Sequence, residues 1–309
     1  MPALVTHYLF GDQVLSELPE EIGRIIEQHR PMFHYAVQGP DLLFFRGAVS
    51  GKSFLPKVGS RMHHEKIEEV LSFLKNYAAG HKNDEKEYPV LLTYLIGYIC
   101  HYYLDKTVHP YVYFLTESIC ARHPEKTAHS VHVKIESQLD TVFYGLMKKR
   151  NITDFPLKTL FAVPQEEKEI VGRMYSQLLK EVFELDFDSR EIARAFDDMK
   201  RLNLPLFDKT GILMTASNIL GEIFPKSLDL TMQVRPKRVS VDIANLCENC
   251  WHHPQNPKLK LRKSVYTLFQ EAKEEVTTAI KCSYDTLEDG MGVHFDTDLD
   301  FAGNIVSAS

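Results

Sequence analysis

His101, Asp105 and His109 stand at i, i+4 and i+8 in the run Gly97-Tyr98-Ile99-Cys100-His101-Tyr102-Tyr103-Leu104-Asp105-Lys106-Thr107-Val108-His109-Pro110. On a helix this spacing stacks three potential ligands along one face. Imidazole and carboxylate suit zinc and similar divalent ions. Pro110 disfavours helical geometry at the residue before it, so His109 is expected at the helix end, turned inward. A metal-free alternative is a pair of buried histidines hydrogen-bonded to Asp105. His132, Glu136 and Asp140 repeat the i, i+4, i+8 spacing. Val131, Ile135, Leu139 and Val142 make the adjoining faces of that segment apolar, which places part of the polar row near the core. Two such rows read as two walls of one site, the way helical bundles build polynuclear centres.

Further candidates lie upstream. His7 follows the apolar Ala3-Leu4-Val5, and Gln38-Gly39-Pro40-Asp41 is a turn that presents Asp41 at its end. Gly59-Ser60-Arg61-Met62-His63-His64-Glu65 is expected to open a helix carrying two histidines. Singly, each of these also reads as a cap, a turn aspartate or a surface pair; their weight comes from the combination. Eleven of the fourteen histidines fall between Met1 and His132, with only His252, His253 and His294 beyond.

The elements that must position these residues are helices. Ile67, Val70, Leu71 and Leu74 keep the 3.6-residue period, as do Leu91, Tyr94, Leu95 and Tyr98. Segments near 126–149, 164–183, 189–202 and 264–284 follow the same pattern, and strand-like alternation is hard to find. Breaks fall at Pro31, Gly47–Gly59, Gly80–Glu87, Pro156 and Pro164. The expectation is one all-α domain over 1–309, with a polynuclear metal site between core helices. Residues 1–145 carry the motifs, 146–284 add helices, and 285–309 form an acidic C-terminal segment.

A net charge of −6 argues against a general nucleic-acid binder, because phosphate-backbone affinity comes from excess lysine and arginine. Metal ions can nevertheless supply local positive charge for a phosphorylated substrate. Five scattered cysteines make a disulfide framework improbable. Cys247-x2-Cys250 followed by His252 and His253 is half of a zinc pattern with no second cysteine pair, and ordinary reduced cysteines are expected there. The start, Met1-Pro2-Ala3, lacks a basic n-region and a long apolar stretch, and no segment matches a transmembrane helix. A cytoplasmic chain is expected. Lys52, Lys57 and Arg61 offer phosphate contacts but fit a solvated loop better; the tyrosines around 94–113 fit core positions with polar tips.

Taken in order, Thr6-His7, Gln38-Gly39-Pro40-Asp41, His63, His101-x3-Asp105-x3-His109-Pro110 and His132-x3-Glu136 resemble the zinc-dependent phospholipase C family, which shares a superfamily with zinc single-strand nucleases. Trp251, Pro254 and Asn256-Pro257 resemble a stretch found late in intracellular members. The resemblance implies two or three zinc ions, with iron or manganese as alternatives. His63, His101 and Asp105 would hold one ion, and His109, His132 and Glu136 a second. His7 would hold a third with Asp105 as bridge. Asp41 is implied as a ligand or as the base that orients the attacking water, and His63 is preferred to His64. Secreted members chelate the third ion with an N-terminal tryptophan, so a chain beginning Met1-Pro2 must hold that ion differently or lack it. The implied activity is hydrolysis of phosphate esters, on a phospholipid or a small phosphoester. At most peripheral membrane contact and no stable nucleic-acid partner are expected. The alternatives are a phosphatase or nuclease acting on soluble nucleotides, and a non-catalytic metal-containing binding module.

Overall fold

The computed structural model describes residues 4–47, 52–207, 210, 212, 233–289 and 297–306. The organising element is a long helix, α6 (Glu87–Arg122), whose residues from Val90 to Val112 are almost all buried. A helix apolar on every side must be enclosed on every side. The helices α1 (Leu4–Leu15), α2 (Glu20–Gln28), α3 (Arg30–Ala36), α5 (Ile67–Gly80), α7 (Ala128–Lys148), α9 (Gln165–Phe183) and α11 (Val265–Asp289) pack against it. A 3₁₀ turn, Gly39–Phe45, lies between α3 and the short α4 (Leu55–Met62). The brief α8 (Leu157–Leu160) leads to α9, which pairs with α10 (Ser189–Asn203). Gly97 permits the close approach of α3 to α6: a Cβ there would lie 2.3 Å from the Ala36 Cβ.

The molecule is a single all-α domain with candidate metal-binding groups packed between core helices. The expected helices near 126–149, 164–183, 189–202 and 264–284 appear as α7, α9, α10 and α11. Three local expectations need correction. First, α6 runs through Pro110 to Arg122, so His109 lies inside a helix rather than at its end. Enclosure by tertiary packing outweighs the local cost of proline. Second, the two adjacent histidines close a helix instead of opening one: α4 begins at Leu55 with Pro56 in its first turn and ends at Met62. Third, a small hairpin was not anticipated. Its strands are β1 (Trp251–His253) and β2 (Asn256–Leu261), paired antiparallel with Trp251 opposite Leu261 and a register shift at His252/His253. Trp251 packs on Tyr111 of α6, ring centroids 5.4 Å apart. Among the described residues no helix is long and apolar enough to cross a membrane.

Candidate metal centre

The centre is built from the middle of α6 outward. His101 is fully buried and its Nδ1 donates to the Val37 carbonyl at 3.2 Å. A carbonyl can only accept, so the proton sits on Nδ1 and Nε2 keeps its lone pair. His63, just past the end of α4, donates Nδ1–H to the Gly59 carbonyl at 2.6 Å, and His109 donates to the Phe301 carbonyl at 2.6 Å. Three imidazoles are thus held in the tautomer that offers Nε2.

Carboxylates meet these nitrogens. Asp41 turns Oδ1 to His63 Nε2 at 3.1 Å and Oδ2 to His101 Nε2 at 3.6 Å. Asp105 places Oδ1 3.1 Å from His7 Nε2, and Oδ2 3.3 Å from His101 Nε2 and 3.6 Å from His109 Nδ1. Glu136 lies between His132 and His109, its Oε1 at 3.2 and 3.4 Å from their Nε2 atoms. Three groups result: His7/His101/Asp105, Asp41/His63/His101 and His109/His132/Glu136, with the ligand atoms of each lying within 4.8 Å of one another.

Buried atoms without hydrogen-bond partners test whether a cation fits. His101 Nε2, His7 Nδ1 and Glu136 Oε2 are buried and make no hydrogen bond. His101 Nε2 faces two carboxylate oxygens without donating to either. A lone pair so placed is costly in a purely hydrogen-bonded interior and natural in a metal site. The residues present fit divalent metal ions.

The electrostatics agree. Burial opposes the anion at Asp41, Asp105 and Glu136, yet the surrounding imidazoles lower all three, Asp105 and Glu136 well below the usual carboxylate range. His101 is lowered to about 4, chiefly by burial, with His7 and His63 outweighing nothing more than part of the pull of Asp105 and Asp41. It is therefore neutral near pH 7. Burial also works against charge on His109, but Asp105 and Glu136 raise it to about 9, so a cation there competes with a proton. Three carboxylates and several imidazoles in one buried cluster form a strongly cation-seeking centre.

Backbone geometry brings Asp41 and His101 together. Gly39 has φ +51°, and a Cβ on it would stand 2.3 Å from His101 Cδ2. The glycine of the Gln38–Asp41 turn is required on both counts. Its carbonyl accepts from the hydroxyls of Tyr94 and Tyr175 at 3.4 and 3.5 Å. His7 is placed by the start of α1, where Asp140 Oδ1 accepts from the Val5 and Thr6 amides at 3.0 and 2.8 Å. Asp140 Oδ2 takes Arg235 Nε at 2.7 Å. Asp140, third in the His132 row, therefore binds a helix terminus and an arginine instead of lying among the candidate ligands.

The centre opens on a cavity of about 470 Å³ walled by Asp41, His63, Asp105, His109, His132 and Glu136. The aromatic rings of Phe44, Tyr113 and Phe301 and the polar Ser60, Thr116 and Glu117 also line it, and among the described residues the lining contains no lysine or arginine. His64 lines it too, half-exposed, with Nδ1 3.0 Å from Asp300 Oδ2 and outside all three ligand groups. Lys57 lies over the Phe54 ring and Arg61 pairs with Glu65, and neither reaches the cavity. Cys247 and Cys250 are exposed and belong to no metal-binding group among the described residues.

The grouping differs from the one implied by resemblance. His63 pairs with Asp41 rather than Asp105, and His101 is shared between two groups. Met1–Ala3, where an N-terminal chelate would form, lie outside the described residues. Phe44 and Phe301 are not among the expected site residues, and Asp300 is expected only as part of the acidic C-terminal segment; Gly303 signals a turn, but nothing in the sequence joins that turn to α6. Residues 6–184 match the family model described as zinc dependent phospholipase C. No curated protein and no solved structure gives a match.

Proposed function

The chain belongs to the zinc-dependent phospholipase C family and is a metal-dependent hydrolase of phosphoester substrates, and we propose that its ions are zinc, held by His7, Asp41, His63, His101, Asp105, His109, His132 and Glu136. The observation that carries this reading is His101 Nε2, buried without a hydrogen bond between Asp41 and Asp105. Divalent ions at such a centre lower the pKa of water to about 7 and neutralise charge developing on a phosphoryl group.

The protein's own residues supply the rest. With no lysine or arginine among the described residues of the cavity lining, the centre itself is the cationic group placed to meet the substrate's phosphate. Phe44, Tyr113 and Phe301 offer apolar surface to the part of the substrate beyond the phosphate. That combination supports a phospholipid-type ester over a small inorganic one. Asp41 was open between ligand and base. Both its oxygens face imidazoles of one candidate group, which is the arrangement of a ligand, and those imidazoles lower its carboxyl rather than raise it toward the range of a base. We therefore assign it as a ligand.

Elemental mass spectrometry of protein purified without added zinc tests the centre, with His101→Ala as control. Two or three equivalents of zinc that fall in the control are expected; no bound metal after reconstitution overturns the reading. Asp41→Asn is expected to lose metal together with turnover. Full metal with lost turnover would make it the base. Hydrolysis of phosphatidylcholine is then compared with that of nucleotides, and a preference for nucleotides would point to the soluble-substrate alternative.

A further inference from the structure

Residues Asp298–Val306 return to the metal centre long after its last candidate ligand in the chain. They form a compact turn. Asp300 Oδ1 accepts from the amides of Ala302 and Asn304 at 2.8 and 2.9 Å, and the Asp300 amide donates to the Asn304 carbonyl at 2.8 Å. Besides the contact of His64 Nδ1 with Asp300 Oδ2 at 3.0 Å, three hydrogen bonds made by the backbone of this turn fasten it to the centre. The Phe301 amide donates to the His63 carbonyl at 3.1 Å, Tyr102 Oη to the Leu299 carbonyl at 2.7 Å, and His109 Nδ1 to the Phe301 carbonyl at 2.6 Å.

Gly303, at φ +76°, sits on α6 where Pro110 interrupts the helical ladder. A Cβ on it would lie 2.5 Å from Pro110 Cγ and 2.6 Å from the Lys106 carbonyl. Lys106 is four residues before Pro110, so its carbonyl is the one deprived of a helical N–H. The proline inside α6 and the glycine in the strap thus fit each other. Phe301 is 1% exposed, its ring centroid 4.8 Å from that of His63 and 5.6 Å from that of His101.

We propose that Asp298–Val306 is a positioning element of the metal centre, in which the Phe301 carbonyl fixes the tautomer and aim of His109 while the Phe301 ring and Ala302 wall the cleft. This rests on His109 being a ligand. The carbonyl keeps the proton on Nδ1 and directs Nε2 toward Glu136. Without it the ring is free to turn its Nδ1 toward Asp105, 3.6 Å away. Loss of such an outer partner typically weakens metal binding 10–100-fold, on the order of other buried histidine ligands.

The test uses full-length protein and two readouts. In the metal-free state, ¹⁵N-histidine NMR reports the hydrogen-bonded Nδ1 proton of His109, assigned by its loss in His109→Ala. That proton is expected in the wild type, absent in Gly303→Val and kept in Phe301→Ala, which retains the carbonyl. Zinc titration against a chelator is expected to show about 10–100-fold weaker binding in Gly303→Val and Asp300→Ala. Asp300→Asn keeps the oxygen that caps Ala302 and Asn304, and should recover most of the affinity. The proposal is overturned if folded Gly303→Val and Asp300→Ala keep the His109 proton, or bind zinc within twofold of wild type. Should Gly303→Val not fold, the Asp300→Ala and Asp300→Asn pair decides. A wild type that binds no zinc sinks the ligand reading, while the His109 proton still decides the role of the strap.

Discussion

Among fourteen histidines, those at the centre are distinguished by the carboxylates that meet their Nε2 atoms rather than by burial or a carbonyl anchor alone. His63, His101 and His109 each anchor Nδ1 on a backbone carbonyl and face a carboxylate with Nε2 or lie beside one. His34 is equally buried and also anchored, on the Leu160 carbonyl, but only one carboxylate oxygen approaches it, at 3.9 Å. Among the described residues it belongs to no metal-binding group. Asp105 joins two imidazoles of one group, reaching His7 through one oxygen and His101 through the other, while His101 belongs to the Asp41/His63 group as well. Asp105→Ala is therefore expected to lose the equivalent of metal held with His7 and to lower turnover at least about 10²-fold, on the order of losing electrostatic stabilisation in a site of this kind. Elemental analysis of the purified variant checks this, and full occupancy would refute Asp105 as a ligand.

Helix α1 shows how one element is aimed by another. Its first amides have no cap of their own within the described residues, and Asp140 of α7 collects those of Val5 and Thr6 together with the Thr6 hydroxyl. The carboxylate also meets the positive end of the helix dipole. Asp140 is fully buried and Arg235 nearly so, at 0% and 4% side-chain exposure. Removing one partner leaves the other buried without its counter-charge. Asp140→Ala should cost about 3–5 kcal/mol in denaturant unfolding and weaken the metal bound by His7, one residue beyond the clamp. Unchanged stability in that variant would mean that α1 is held by apolar packing alone.

At the scale of the whole molecule, the far end of α1 carries a second, half-buried polar cluster. Asp12 accepts from Arg30 Nη2 at 2.7 Å and lies 3.3 Å from Lys148 Nζ. Burial opposes its charge, but His34, Arg30 and Lys148 hold its carboxyl well below the usual range. A depressed folded pKa adds stability that is complete above the unfolded value of about 4 and is lost as pH falls further. Asp12→Asn should therefore cost of order 2 kcal/mol at pH 7 and flatten the acid limb of the stability profile below about pH 4. Thermal melts from pH 7 to pH 2 measure this, and an unchanged acid slope would remove Asp12 from the account. The net charge of −6 has a counterpart in the cavity, whose lining among the described residues holds no lysine or arginine, so positive charge for the substrate falls to bound metal.

The helical period and the spacing of His101, Asp105, His109, His132 and Glu136 were legible in the sequence, because a helix converts spacing directly into a shared face. So was the turn of Gly39 and Pro40 that presents Asp41, since those residues restrict the backbone locally. Tertiary structure decided what local rules cannot carry. His101 came to stand between Asp41 and Asp105 because α3, the 3₁₀ turn and α6 meet at that point. Asp140 shares the spacing of the ligand row but was taken by the start of α1 and by Arg235. Pro110 stayed within α6 because the packing around it, including Gly303, outweighs its local preference. Each of these outcomes joins residues far apart in the chain, and such contacts depend on how surfaces pack rather than on periodicity.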